Sequence, residues 1–296
     1  MADTHFTPYE SQEFAELDYW RELSKKGELE TVPCVAAWSD ICGFGSALES
    51  ADWQLKKIRG SGLFNALSQT YSLLGSPFIT GVPPMPTDRV LVINDGVART
   101  TDLVDAKYVQ HAQMMFYVRD LLMHHFILER QLVALNLGLR TVLAGGERCQ
   151  YSPQKSTGQL FLSYTNEPSE YGKKFLQQQF VYNPAEFQMN TAFALAYTLE
   201  ALGTSGGFIP NRIYIEERWL KTINSVIPEP SIVNAKEIVF PWHTIPGISI
   251  SFDDCRVVTV KGIATTIFRV SRFVVHEQFE GETTEFPMSE HDRQNL

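Results

Sequence analysis

Residues 31–46 read TVPCVAAWSDICGFGS, and the rest of the chain is best understood from this stretch. The run from Thr31 to Trp38 is almost entirely apolar, which predicts a buried central strand. Ser39 and Asp40 come next, and the following ICGFGS contains two glycines, which stop a strand and permit a tight turn. We therefore expect a strand that ends at Asp40 and leads through a glycine turn into a helix.

The composition is that of a folded protein with an acidic balance. The chain has 296 residues, of which 44% are hydrophobic and 20% charged, enough to bury a large core. The formal net charge of −9 argues against general binding to DNA, RNA or an anionic membrane, because those partners select clustered Lys and Arg. A phosphate-bearing ligand would need metal ions or backbone amides at a local site.

Cysteine usage and the N-terminus indicate the compartment. The four cysteines are scattered without a CxxC pair, which argues against a zinc knuckle or a disulfide scaffold and favours reduced thiols. The first residues lack the basic and apolar regions of a secretion signal, and no segment reaches the ~20 apolar residues that span a bilayer. The expected location is the cytoplasm.

Periodicity and turn signals predict one α+β protein with terminal additions. We expect an N-terminal helical extension over residues 1–30, a main domain over 31–225 and a C-terminal β-rich extension with a polar tail over 226–296. The main domain is expected to contain a hairpin around an Asp95-Gly96 turn, a long helix over 105–137, a strand ending in a Gly145-Gly146 turn, and a helix over 186–202.

Two aspartates are the candidate chemical groups. Asp40 is expected at the end of an inner strand and Asp95 at the tip of the hairpin. Carboxylates in such places can share two divalent cations, and Mg²⁺ usually keeps substrate phosphates in its shell. The turn at residues 42–45 would expose backbone amides at a helix start, where they could bind phosphates.

The residue types alone leave a second interpretation open for each aspartate. An aspartate after a strand is frequently a helix N-cap or a turn former, and Asp-Gly at a hairpin tip is ordinary turn chemistry.

Four segments resemble the class III adenylate and guanylate cyclases. VAAWSDICGFGS (35–46) resembles the first strand and turn of that family, and VLVINDGVART (90–100) its second metal site. GLRTVLAGGERC (138–149) is similar to the family's Arg-x-Gly-Ile-x-x-Gly strand, and MNTAFALAY (189–197) to its Asn-x-Ala-x-Arg helix. The resemblance covers roughly residues 32–216 and implies a ferredoxin-like or palm-like fold with a mostly antiparallel sheet.

The resemblance also implies roles for particular residues. Asp40 and Asp95 would bind two divalent cations, Mn²⁺ or Mg²⁺, and Ile41 would contribute its carbonyl. The residues whose amides would contact the triphosphate are Gly43, Phe44 and Gly45, and Asn190 would orient the ribose. The implied reaction is attack of the ribose 3′-oxygen on the α-phosphorus with loss of pyrophosphate.

The sequence departs from that family at two positions. Ala194 stands where the family has a transition-state arginine, and Leu91 where it has the purine-selecting Lys or Glu. Arg99 is our first candidate for the missing arginine, and Arg148 is the other. The residue type alone also fits a surface or strand-edge charge at both positions.

Among class III cyclases, these departures look most like the stand-alone uridylate and cytidylate cyclases of Pycsar antiphage defence. That resemblance implies a lyase that acts on UTP or CTP, works as a homodimer, and signals through its product to a membrane or TIR-type effector. Two alternatives stay open: a catalytically inactive homologue that binds nucleotide as a sensor or scaffold, and a polymerase-type relative of the same palm-like fold.

Overall fold

The structure is a computed structural model that describes residues 17–75, 87–103, 111–149, 167–168, 170, 173, 185–225, 231–234, 236–242, 245–276 and 283–287. Its helices, apart from two short 3₁₀ turns, are α1 (Leu17–Lys26), α2 (Phe44–Ser50), α3 (Leu55–Ile58), α4 (Leu63–Leu73), α5 (His111–Val133), α6 (Thr191–Glu200) and α7 (Glu217–Asn224). Its strands are β1 (Thr31–Cys42), β2 (Arg89–Ile93), β3 (Gly96–Asp102), β4 (Gly138–Cys149), β5 (Arg212–Glu216), β6 (Ser231–Asn234), β7 (Glu237–Trp242), β8 (Ile245–Val260), β9 (Ile263–His276) and β10 (Thr283–Pro287).

The described strands form one mixed sheet in the order β2-β3-β1-β4-β5-β9-β8-β7-β6, with β10 beside β9. Every pairing is antiparallel except that of β4 with β5. The first four strands and their helices follow the order βαββαβ and lie side by side as 2-3-1-4, which is the ferredoxin-like arrangement. The expected α+β class is confirmed.

The C-terminal β-rich extension continues the main sheet. Strand β9 pairs with β5 through Tyr214↔Arg269 and its two neighbours, and with β8 along most of its length. Because β9 carries backbone hydrogen bonds on both sides, the extension and the N-terminal half share one sheet without a break.

Helices cover the two faces of the sheet unequally. On one face, α2, α4, α5 and α7 bury two apolar clusters against the odd-numbered residues of β1, such as Val35 and Ile41. On the other face, α6 packs Leu195, Ala196 and Leu199 against Trp38. None of the described helices has both the length and the apolar character needed to cross a bilayer.

Strand β4 differs from its expected end. Gly145 and Gly146 lie within the strand, opposite Val35 and Cys34, and form no turn. A Cβ atom at Gly145 would collide with the backbone carbonyl of Arg218, and one at Gly146 with the Thr191 side chain. Two adjacent glycines therefore let α7 and α6 approach the strand from opposite faces. This close approach of the helices, and not a turn, explains the glycine pair.

A buried ion pair links β3 to β4 across β1, the strand that lies between them. Arg148 donates from Nε and Nη2 to the two carboxylate oxygens of Asp102, each at 2.6 Å, and from Nη1 to the carbonyl of Cys149 at 3.0 Å. The Arg148 and Asp102 side chains are 1% and 2% exposed. The pair lies on the α6 face, because Asp102 and Arg148 stand opposite Cys34 and Val32.

Truncating one member of this pair should destabilise the fold strongly. Asp102→Ala removes the carboxylate that compensates the buried Arg148 charge. We expect the free energy of unfolding, measured by urea denaturation, to fall by about 3–5 kcal/mol. The matched control is Asp253→Ala, which removes a half-exposed pair with Arg269 and should cost about 1 kcal/mol or less. Equal losses in the two variants would contradict this account.

Candidate functional site

The structure brings Asp40 and Asp95 together at one edge of the α6 face. Asp40 stands opposite Gly96, the residue after Asp95, in the pairing of β1 with β3. The amide of Ile41 donates to the carbonyl of Asp95 at 3.2 Å, which fixes the hairpin turn against β1. Asn94 adopts φ 55° and donates from Nδ2 to Asp95 Oδ1 at 2.9 Å, so the turn also orients the Asp95 carboxylate.

Asp40 lies inside β1, since the strand continues through Ile41 to Cys42. The expected strand end at Asp40 is therefore two residues early. Pairing of Ile41 and Cys42 with Leu139 and Gly138 of β4 explains the extension, which the local sequence cannot show.

The surroundings of Asp40 disfavour its ionised form. Burial, followed by repulsion from Glu200 and Asp95, raises the pKa of Asp40 to about 7, although attraction to Arg140 acts in the opposite direction. Burial also raises the pKa of Asp95. Two neighbouring carboxyl groups whose pKa values are both raised form a site that opposite charge would stabilise, and neither carboxylate forms an ion pair within the described part of the chain.

Arg140 is the cation that the strand register aligns with Asp40. It stands opposite Asp40 in β4, and side chains of directly opposed residues lie on the same face of a sheet. Its guanidinium donates from Nε to Glu200 Oε1 at 2.7 Å, from Nη2 to the same oxygen, and from Nη1 to the carbonyl of Phe208 at 2.7 Å. Both side chains of the Arg140–Glu200 pair are nearly buried.

The glycine turn leads directly from β1 into α2. Gly43 has φ 91°, in the left-handed region, and caps α2 without any side-chain hydrogen bond. The Phe44 side chain is buried in the core beneath the turn, whereas Gly43 and Gly45 are exposed. The turn therefore presents backbone and no side chain to solvent at the start of the helix, where amides lack intrahelical acceptors.

A pocket of about 420 Å³ opens beside the turn. Its walls come from the ends of β1 and α5, the start of β4 and the loop before β5, and the lining residues are Cys42, Gly43, Val133, Asn136, Leu137, Gly138, Pro210 and Asn211. Its volume falls within the ~300–1,000 Å³ range of small-molecule sites.

Arg99 does not lie with the acidic pair. It stands opposite Ala37 in β3, so its side chain projects from the sheet face opposite to that of Asp40. There it is 4% exposed, binds Asp88 through Nε and Nη2, and stacks over the Tyr117 ring at 4.7 Å. Arg99 therefore forms a buried ion pair on the face opposite to Asp40, and the catalytic role assigned to it from the sequence stays a prediction. Arg148, the other candidate, is committed to Asp102.

Asn190 serves as the N-cap of α6. Its Oδ1 accepts from the amide of Phe193 at 2.8 Å, and its Nδ2 donates to Thr100 Oγ1 at 3.0 Å and to the carbonyl of Glu186 at 2.9 Å. Thr100 is four residues from Gly96 along β3, about 13 Å at the usual rise per residue. Asn190 is 4% exposed, so within one chain it is bound internally and distant from the acidic pair.

The Arg140–Glu200 pair was not predicted from the sequence. Arg140 belongs to the quoted segment 138–149, but nothing in one sequence reveals that β4 aligns it with Asp40. A weak signal for Glu200 does exist, because an acidic residue at the last position of a helix opposes the helix dipole and calls for a compensating cation.

The acidic pair suits a hard divalent cation. Carboxylate oxygens and backbone carbonyls are the donors that Mg²⁺ prefers, and Asp40, Asp95 and Ile41 offer both kinds. In the described part of the chain, no group of three or more His, Cys, Asp or Glu side chains converges into a metal cage. Two carboxylates would leave coordination positions for water or for ligand phosphates.

Comparisons with known proteins give similarity only to solved structures. No protein-family model matches the chain, and no curated protein sequence matches it. A guanylyl cyclase domain of the RhoGC fusion protein from the fungus Blastocladiella emersonii aligns with 82% of this chain and 97% of its own, at 12% identity and a TM-score of 0.39.

Two further structures align similarly. The catalytic core of a rhodopsin-guanylyl cyclase with converted specificity, in complex with ATPαS, is 12% identical over 82% of this chain and 98% of its own, with a TM-score of 0.40. An adenylate/guanylate cyclase/hydrolase from Silicibacter pomeroyi is 11% identical over 81% of this chain and 97% of its own, with a TM-score of 0.39.

The raised pKa of Asp40 predicts a stability cost that rises with pH. The folded chain binds the Asp40 proton more tightly than the unfolded chain does, so stability falls as pH rises from about 4 through about 7. Asp40→Asn should therefore raise the free energy of unfolding at pH 8 by about 1–3 kcal/mol and have little effect near pH 4.

Chemical denaturation at both pH values, with EDTA present, measures this effect. The control is Glu49→Gln, which removes an exposed carboxylate from α2 and should change stability by about 0.5 kcal/mol or less. A destabilised Asp40→Asn variant at pH 8 would contradict the assigned environment.

Proposed function

We propose that this protein is a cytoplasmic nucleotidyl cyclase, a lyase that converts UTP or CTP into the 3′,5′-cyclic monophosphate and pyrophosphate. The observation that carries the proposal is the juxtaposition of Asp40 and Asp95 next to the exposed turn at Gly43. These are the groups that the resemblance to class III cyclases assigns to metals and triphosphate. Metal ions and backbone amides at this site would let a protein with a net negative charge bind a polyanion.

Each part of the site has a proposed task. Asp40, Asp95 and the Ile41 carbonyl would hold two divalent cations, and the backbone at Gly43, Phe44 and Gly45 would bind the β- and γ-phosphates. Bound cations would lower the pKa of the ribose 3′-hydroxyl, so that its proton passes to water, and would stabilise charge on the α-phosphate. The 3′-oxygen forms a bond to the α-phosphorus, the bond to the bridging oxygen breaks, and pyrophosphate departs. The pocket beside Gly43 is large enough to accept part of the nucleotide.

The pyrimidine preference rests on Leu91. Strand β2 places Leu91 opposite Ala98 on the α6 face, where it packs against the apolar cluster that contains Trp38 and the buried residues of α6. A leucine has no hydrogen-bonding group with which to read a purine edge. We extend the proposal to a second-messenger role in antiviral defence, with a membrane or TIR-type effector that responds to the product.

The second candidate function is nucleotide binding without turnover. It is favoured by the internal commitment of Arg99, Arg148 and Asn190, together with the exposed alanine at position 194 of α6. A chain with these features would retain the metal and phosphate groups and lack the ribose and transition-state groups. It would act as a sensor or scaffold.

We also propose that the active form is a homodimer through the α6 face. Tyr197 and Met189 are about half exposed there, and Ile93, opposite Gly96, is 48% exposed on the same side as Asp40. Tyr197 contacts Trp38 edge-on at 5.4 Å between ring centroids, and the buried Nε1 of Trp38 has no acceptor among the described residues. A second chain would cover these apolar groups and could complete the site.

A product assay tests the proposed activity. Purified protein with Mn²⁺ and each of ATP, GTP, UTP and CTP should convert one pyrimidine nucleotide into a cyclic monophosphate, identified by mass. Asp40→Ala should lower the rate by about 10³-fold or more, because it removes a proposed metal ligand.

The other outcomes of this assay select the alternatives. Thermal stabilisation by a nucleotide without any pyrophosphate release would favour the sensor, and an oligonucleotide product mass would favour a polymerase-type relative. Turnover of ATP or GTP alone would refute the pyrimidine preference.

A variant of the exposed aromatic tests the dimer. Tyr197→Glu places a charge in the proposed interface and should convert a dimer to a monomer in sedimentation velocity experiments, because burying an unpaired charge is costly. The neighbouring Thr198 in α6 is partly buried, so it is not a matched control. Val257 of β8 is exposed and lies outside the proposed interface. Val257→Glu is therefore the control, and equal dissociation by both variants would argue against this face.

A further inference from the structure

Arg140 lies opposite Asp40 in the sheet but forms its contacts with other residues. Arg140 and Asp40 are directly opposed in β4 and β1, which places their Cβ atoms about 4.5–5.5 Å apart. At that separation a guanidinium can reach a carboxylate. Yet the structure records hydrogen bonds and an ion pair from Arg140 to Glu200 and Phe208, and none to Asp40.

Three contacts hold Arg140 in this position. Nε and Nη2 both donate to Glu200 Oε1, and Nη1 donates to the Phe208 carbonyl, so each nitrogen of the guanidinium has an acceptor other than Asp40. Burial of the pair makes the arrangement strong, because partly desolvated charges are weakly screened.

Glu200 occupies an unfavourable position for an acidic residue. It is the last residue of α6, where a negative charge opposes the helix dipole, and it lies close enough to Asp40 to disfavour its ionisation. It does not form a metal cage with Asp40 and Asp95. The hydrogen bonds described for its carboxylate are those from Arg140.

We propose that Glu200 is a positioning residue that holds Arg140 away from the acidic pair and so keeps the Asp40 carboxylate available to a divalent cation. Without Glu200, Arg140 forms an ion pair with Asp40 and competes with the cation for it. With all four side chains ionised, the pair Arg140–Glu200 is neutral and the two aspartates remain uncompensated. The inference rests on the proposed metal site and adds the residue that preserves it.

Measurement of Mn²⁺ affinity in the absence of nucleotide tests this directly. The full chain is titrated with Mn²⁺ alone and free Mn²⁺ is followed by electron paramagnetic resonance, with Asp95→Asn as the variant that identifies the site. Glu200→Gln should weaken Mn²⁺ binding by about tenfold or more, in line with couplings measured for close charge pairs.

Loss of a negative charge near the site would by itself weaken cation binding, so a double-mutant cycle separates the two explanations. If Arg140 competes for Asp40, Glu200→Gln should change Mn²⁺ affinity by about threefold or less when Arg140→Gln is already present. If the charge alone matters, the substitution has the same effect with and without Arg140, and the proposal is overturned. Glu217→Gln, in a partly exposed pair with Lys221 on α7, controls for net charge.

Glu200→Asp provides a variant that keeps the charge. The shorter side chain withdraws the carboxylate from Arg140, so Mn²⁺ binding should again weaken, whereas a pure charge effect predicts no change. This variant decides the matter if Glu200→Gln does not fold. Absence of Mn²⁺ binding by the wild type refutes the proposed metal site itself, while unaltered Mn²⁺ binding in Glu200→Asp, alongside normal wild-type binding, refutes only the role of Glu200.

Discussion

The pairing of β1 with two neighbours at once is the constraint on which the candidate site depends. Strand β1 hydrogen-bonds to β3 on one side and to β4 on the other, so Asp40 is aligned with Gly96 and with Arg140 by backbone geometry. A shift of one residue in either register would send the aligned side chains to the opposite face. The site is therefore defined by the register of three central strands, with loops contributing only the hairpin turn and the glycine turn.

The sequence was sufficient where the determinants are local. The apolar run before Asp40, the Asp-Gly turn and the periodicity of α5 and α6 predicted the elements and their order, and two aspartates were expected at neighbouring places that the fold does bring together. These features depend on turn chemistry and on side-chain period, both of which are visible in a single chain.

The sequence was insufficient where the partner of a residue lies far along the chain. Arg99 and Arg140 are both arginines on inner strands, and only the strand pairings reveal which one shares a face with Asp40. The family motif predicted that Asn190 orients the ribose. At the start of α6, however, its side-chain oxygen accepts a hydrogen bond from the Phe193 amide and caps the helix. In each case the local pattern fits two roles, and tertiary contacts select between them.

The glycine pair within β4 has a mechanical consequence. At residues 145 and 146 the strand itself contributes no side chain, so the start of α7 on one face and of α6 on the other lies directly against the β4 backbone. A residue larger than glycine at position 145 would push α7 away from the sheet, and one at position 146 would push α6 away. The spacing of both helices from the sheet is therefore set by backbone contact at these two adjacent residues.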